Sequence, residues 1–249
     1  MNTVAAPPAT GRVHSWDLST GVDGPGTRFV LFLSGCPLRC LYCANPDTWH
    51  MRDGRTATVD EIMAEIEKYR PFLTASGGGV TLTGGEALLQ PAFTGALLRR
   101  CKEAGLHTAL DTSGFLGARA SDALLADTDL VLLDIKSFDI GTYRRLTGGD
   151  LAPTLAFATR LNRLGVPLWI RYVLVPGWTD DLTAVDGLAE FVAGLDTVDR
   201  VDVLPFHKLG APKYEVLGIP FPLKDTPTPD PALTERVRAR FRAHGTAAY

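Results

Sequence analysis

Short, almost wholly apolar runs recur along this chain, and stretches with helical spacing separate them. The clearest are RFVLFLS at 28–34 and LVLLDI at 130–135. Side chains on a strand alternate between its two faces, so a strand apolar at successive positions must be covered on both. Further strands are expected at 80–83, 107–111, 167–175 and 201–204, with a short one at 12–16.

Between them, Thr58 and Glu61 form a capping-box pattern ahead of Ile62, Ile66 and Tyr69. Pro91 opens a helix whose inner stripe is Phe93, Leu97, Leu98 and Cys101, and Gly105 ends it. More helices are expected around 118–126, at 154–164, at 180–194 and from Asp230 and Pro231 onward. Residues 209–229 hold five prolines and two glycines, so irregular structure is expected there.

This alternation predicts an α/β fold with parallel strands covered by helices. Six such strands make either an incomplete barrel or an open doubly wound sheet. The polar and glycine-rich segments follow strand ends, at 36–43, 84–86, 111–114, 134–136, 176–177 and 207. Parallel α/β folds carry their sites on that edge, so one shared mouth is expected. A loose tail is expected at 1–10, then a single domain over 11–249. Its barrel would span about 28–205, followed by an irregular segment and C-terminal helix at 209–245.

Composition narrows the function classes. The 249 residues carry a net charge of −3, which argues against a broad basic field for nucleic acid. No apolar run approaches the roughly 18 residues of a membrane helix. MNTVAAPPAT has neither a basic nor a long apolar signal region, and a cytoplasmic protein is expected.

Of four cysteines, Cys36, Cys40 and Cys43 fall in one C-x3-C-x2-C segment. Three thiolates in a short loop suit an iron–sulfur cubane with one iron left open to a small molecule. Zinc with His50 as a fourth ligand, a disulfide, or buried free thiols are the alternatives. Cys101 reads as a core residue.

The cysteine segment, with an aromatic before its last cysteine, resembles that of the radical S-adenosylmethionine superfamily. Within it, the runs GRVHSWDLSTGVDGPGTRFVLFLSGCPLRCLYCANPDTW, GGGVTLTGGEALLQ, LDTSG, LLDIK, IRYVLVPGWTDD and LPFHKLGAPKY resemble the glycyl radical enzyme activases, in their pyruvate formate-lyase branch. The absence of a ferredoxin-like insert agrees with that branch. The resemblance implies an incomplete (β/α)6 TIM-like barrel of the radical SAM type. It implies a [4Fe-4S] cluster on Cys36, Cys40 and Cys43, with S-adenosylmethionine chelating the open iron.

Further roles follow from the same resemblance. Gly84, Gly85 and Glu86 would meet the cofactor's amino group. Asp111, Thr112, Asp134 and Lys136 would surround its methionyl end, with the first three and the Leu132 carbonyl also holding a monovalent cation. His207 would touch the cofactor; from the residues themselves, an inward Arg171 suits the methionyl carboxylate, and Tyr42 either shields the cluster or simply packs. A local Asp134–Lys136 ion pair and an outward, solvated Arg171 are the plainer readings. The activity implied is reductive cleavage of S-adenosylmethionine and removal of a glycine α hydrogen from pyruvate formate-lyase, with Asp23 accepting bonds from that partner's glycine loop. Flavodoxin or ferredoxin would be the electron donor, and a monomer is expected. Another glycyl radical partner, a small-molecule substrate, or a non-enzymatic metal protein are the alternatives.

Overall fold

The computed structural model describes residues 9–249, so positions 1–8 of the expected tail lie outside the described residues. The chain runs β1 (Thr10–Thr20), β2 (Thr27–Leu33), β3 (Arg55–Thr58), α1 (Val59–Glu67), α2 (Arg70–Ala75), β4 (Gly79–Gly84), α3 (Pro91–Glu103), β5 (His107–Thr112), α4 (Asp122–Ala126) and β6 (Leu130–Asp134). It continues with α5 (Ile140–Thr147), α6 (Ala152–Leu164), β7 (Leu168–Leu174), α7 (Leu182–Ala193), β8 (Val198–Pro205), α8 (Ala211–Val216) and α9 (Pro231–Ala243).

All eight strands form one sheet in the order β3-β1-β2-β4-β5-β6-β7-β8. From β2 to β8 every neighbouring pair is parallel. The order never reverses, as a doubly wound sheet would at its switch point. The sheet winds one way, and β3 and β8 remain its two edges. This is the open six-strand barrel rather than its doubly wound alternative. β1 and β3 add antiparallel strands beside β2.

The apolar runs are buried on both faces, as their composition requires. Val131 and Leu133 of β6 join the main core beneath the helices. Leu130 and Leu132 face the other way, into an inner cluster with Ala109 and Trp169. Thr58 caps α1 and Glu61 reaches back to its backbone N–H at 2.6 Å. Thr58→Ala is expected to cost about 1 kcal/mol, read as a lower urea midpoint with an unchanged slope.

Several elements differ from the sequence reading. β1 begins at Thr10 and runs to Thr20, so Thr10 belongs to the sheet and not to the tail. β3, α2 and α5 were not foreseen. The segment after 209 contains a regular turn, α8, with Pro212 in its first turn where a missing N–H costs nothing. Tyr69 lies beyond α1, as N-cap of α2.

The N-terminal end of the barrel is closed by Arg28, fully buried. Its guanidinium donates to the Thr81 hydroxyl at 3.0 Å, the Val80 carbonyl at 2.5 Å and His107 Nδ1 at 3.0 Å. An arginine can only donate, so His107 Nδ1 must accept, and the ring is neutral. Burial and the Arg28 charge lower the His107 pKa. A histidine lowered on folding stabilises fully above its unfolded value near 6.5, and that contribution is lost as pH falls through the lower folded value. Between pH 7 and 5 the chain is expected to lose stability in urea titrations, and His107→Gln is expected to flatten that slope. Among the described residues no helix is long and apolar enough to cross a membrane.

Candidate active site

At the opposite end, β2 runs straight into the cysteine loop. Gly35 N–H donates to the Thr48 carbonyl at 2.7 Å, and Cys36 N–H to the Trp49 carbonyl at 3.0 Å. Arg39 and Leu41 N–H groups donate to the carbonyls of Thr147 and Leu146 at the end of α5. From the far side Tyr214 of α8 donates its hydroxyl to the Cys43 carbonyl at 3.2 Å. Lys213 reaches Asn45 Oδ1 at 2.8 Å. The loop is therefore braced by α5 and α8, two of the helices that sequence periodicity does not disclose.

Cys36, Cys40, Cys43, Tyr42, Gly84, Gly85, Asp111, Thr112, Asp134, Lys136, Arg171 and His207 all line one cavity. It opens at the C-terminal ends of the parallel strands. The three thiols are free and partly buried. Burial pushes Cys36 and Cys40 up to about 12 and raises Cys43, so they are protonated until a positive centre compensates them. Among the described residues no three His, Cys, Asp or Glu groups are gathered as for a single metal ion. His50 is exposed and outside the cavity lining. Cys101 is fully buried on the helical side, with its Sγ 3.6 Å from Met63 Sδ.

Gly84 ends β4 with φ of +118°, and a Cβ there would enter the Leu33 backbone. A Cβ on Gly85 would meet the backbone of Gly35 and Thr48. The two glycines thus let the cysteine loop lie directly on β4.

Glu86 lies behind the wall that the other expected cofactor residues line. It is 2% exposed and absent from the cavity wall. One oxygen accepts from Thr112 Oγ1 at 2.6 Å and Leu88 N–H at 3.1 Å. The other accepts from the Ser113 hydroxyl at 2.6 Å and its N–H at 3.1 Å. These bonds tie the start of the 112–113 turn to the segment after β4.

Arg171 points inward, not to solvent. Its guanidinium lies 3.3 Å from Asp111 and 4.0 Å from Asp23. β-Sheet register sets it opposite Asp134. Lys136 pairs with Asp134 at 2.8 Å, the local ion pair, and stands 5.8 Å over the Tyr42 ring. Burial works against the Lys136 ammonium, but Asp134, Tyr42 and Cys40 outweigh it and lift its pKa. Burial raises Asp111 to about 6, against the pull of Arg171 and with the push of Asp134. Thr83, which sequence reasoning passed over, donates to Asp111 Oδ2 at 2.6 Å. Its signal was alternation along VTLTG, which sets Thr81 and Thr83 on the inner face.

Two buried polar atoms on the cavity wall have no partner, Asp111 Oδ1 and the Tyr42 hydroxyl. Native interiors rarely leave such groups unpaired unless a ligand or ion completes them. On the wall Asp111 and Asp134 stand with Arg171 and Lys136, and Asp23 lies 4.0 Å from Arg171 just outside it, so Arg171 is shared between two carboxylates.

Residues 30–186 match the family model of the radical SAM superfamily. The chain is 43% identical over 237 residues to pyruvate formate-lyase 1-activating enzyme of Escherichia coli K12, covering 94% of this chain and 96% of that one. It is 46% identical over 239 residues to pyruvate formate-lyase-activating enzyme of Staphylococcus aureus USA300, covering 93% and 94%. The chain belongs to the pyruvate formate-lyase activating enzyme family of the radical SAM superfamily. As a member it is a radical oxidoreductase that uses S-adenosylmethionine. A crystal structure of a domain of the Bacteroides vulgatus pyruvate-formate lyase-activating enzyme is similar over 70% of this chain and 98% of that one, with TM-score 0.59 and 27% identity. A radical SAM methyltransferase from Sphaerobacter thermophilus shares the fold, with TM-score 0.62 over 93% of this chain and 71% of that one at 17% identity.

Proposed function

We propose that the chain activates pyruvate formate-lyase, holding a [4Fe-4S] cluster on Cys36, Cys40 and Cys43 and S-adenosylmethionine in the adjoining cavity. When bound, the two cofactors supply reductive cleavage of the sulfonium and removal of one hydrogen atom from a glycine Cα, leaving methionine, 5'-deoxyadenosine and a glycyl radical on the partner.

What supports this reading most is the meeting of three free thiols with a buried carboxylate, Asp111, that keeps one oxygen without a partner, on one cavity wall. Buried thiols would release their protons to solvent on taking up a metal cluster, whose positive irons would supply the missing countercharge. Asp111 Oδ1 is free to accept from a cation, and with Thr112, Asp134 and the Leu132 carbonyl it would hold a monovalent ion. Arg171 holds Asp111 and Asp23 in place, so a cofactor carboxylate would share that guanidinium with them. His207 and Tyr42 flank the cavity and restrict water. Gly84 and Gly85 keep the wall close to the cysteine loop, and Glu86 fixes the turn that carries Thr112. Asp23, beside Arg171 but outside the cavity lining, would receive the partner's glycine loop through the open side of the barrel. Flavodoxin or ferredoxin would donate the electron, in a cytoplasmic setting, to a monomer.

The experiment is anaerobic incubation of cluster-loaded chain, reductant, S-adenosylmethionine and pyruvate formate-lyase. A glycyl radical signal on the partner is expected. An unchanged partner, with cluster and reductant both active, contradicts the proposal.

A further inference from the structure

The loop that joins β1 to β2, residues 21–26, is clamped to the barrel at two points. The first is Thr81 of β4, which is fully buried. Its hydroxyl lies 3.0 Å from Arg28 Nε and 2.6 Å from the Asp23 carbonyl. An arginine can only donate, so the hydroxyl oxygen accepts from Arg28 and its single proton goes to Asp23. The relay thus runs one way, from Arg28 through Thr81 to the loop. Arg28 also sits close under the turn, since a Cβ on Gly24, whose φ is +122°, would come within 3.2 Å of its Nε. The second clamp is at the loop's far end, where Thr27 N–H donates to Ser76 Oγ at 2.9 Å. Between the two, the Asp23 carboxylate comes to 4.0 Å from Arg171. Neither Thr81 nor Arg28 lines the cavity.

We propose that Thr81 is a positioning residue for the partner protein: through its bond to the Asp23 carbonyl it holds the 21–26 loop in the shape that receives the partner's glycine segment. This rests on the function proposed above. Gly21, Gly24 and Gly26 give the loop backbone wide freedom. Held only at its far end, the loop would have to order when the partner arrives, and binding would bear that cost. Thr81 removes the freedom beforehand. It adds no group to the chemistry and touches no cofactor.

The test is activation of pyruvate formate-lyase by the cluster-loaded full-length chain at varied partner concentration, read from the glycyl radical signal. Thr81→Val replaces the hydroxyl by a methyl of nearly the same size. It is expected to raise the KM for the partner about threefold to tenfold, with kcat and the Kd for S-adenosylmethionine at their wild-type values. Thr81→Ser restores the hydroxyl and is expected to restore the KM. A merely structural defect would instead lower iron content and S-adenosylmethionine binding together. Where Thr81→Val does not fold, Thr81→Cys decides, because a thiol fills the site but donates weakly, and its KM is expected to rise as well. A wild-type KM in a cluster-loaded Val or Cys chain overturns the proposal. Wild-type chain that leaves the partner unchanged overturns the proposed function instead, so the two failures are distinct.

Discussion

A Cys40→Ala chain is expected to release no detectable 5'-deoxyadenosine from S-adenosylmethionine, while unfolding in urea at nearly the wild-type midpoint. The cavity offers three thiols, and removing one leaves two. The remaining cysteine cannot substitute, since Cys101 is buried against Met63 on the helical side of the sheet. The fold does not depend on the Cys40 thiol. Its loop is held by backbone hydrogen bonds to α5 and by the contacts of α8 with Cys43 and Asn45, so the stability change should stay within about 0.5 kcal/mol. Cys101→Ala should behave in the opposite way, keeping activity and losing about 1 kcal/mol or more from a fully packed core. Iron content, product release and urea midpoints of the two chains check this. Substantial cleavage by Cys40→Ala would remove that residue from the site.

Arg171→Met carries the second large effect. In the native chain Arg171 is the cation nearest both Asp111 and Asp23. Removing one partner of a buried ion pair strands the other charge, at a cost of about 3–5 kcal/mol. The sign with pH follows from Asp111. Burial already raises it to about 6 with Arg171 present, and without the guanidinium it rises further. A carboxyl raised on folding favours the folded state while protonated and loses that contribution as pH rises through its folded value. The loss in Arg171→Met, measured against wild type, should therefore be larger at pH 8 than at pH 5.5. S-Adenosylmethionine binding should also weaken, because Asp111 and the cofactor's charged end lose a common anchor. Arg171→Lys would only partly rescue, since an ammonium cannot present the planar fork. Paired urea titrations at the two pH values are the check, and an equal loss at both contradicts the assigned pairing.

The strands were legible because burial on both faces leaves a mark that no loop imitates. LVLLDI is apolar at alternate positions twice over, once for the helical core and once for the barrel interior. The edge strands carried no such mark. β3 is four residues long, and only Ala57 is buried, so its pairing with β1 comes from tertiary contact. α5 has a cap at Asp139 and a left-handed Gly148, both visible in the sequence, but two of the four residues that its IGTYRRLT body buries, Thr142 and Thr147, are polar, so no apolar stripe marks it. α8 was obscured by the prolines around it. Both helices brace the cysteine loop, so the least regular stretches are the ones that position the thiols.

The site was legible where chemistry requires a residue type. Charged residues at the end of an apolar strand, such as Asp134 and Lys136, had to find partners, and they found each other. The donors to Glu86 were hidden because a carboxylate beside two glycines gives no hint of them. Thr112 and Ser113 arrive from β5 and the turn after it, 26 and 27 residues further along. In the sequence Arg28 marks only the start of a strand. Its inward place, and with it the His107 contact, depends on register with β4 and β5.

The central claim is that the thiols and the carboxylate group together serve one reaction, hydrogen removal from a peptide glycine. The most direct measurement supplies pyruvate formate-lyase with deuterium at its glycine Cα positions, together with reduced, cluster-loaded chain and S-adenosylmethionine. One deuterium in the recovered 5'-deoxyadenosine is the predicted result. Unlabelled 5'-deoxyadenosine, formed at the same rate with and without the partner, would contradict it.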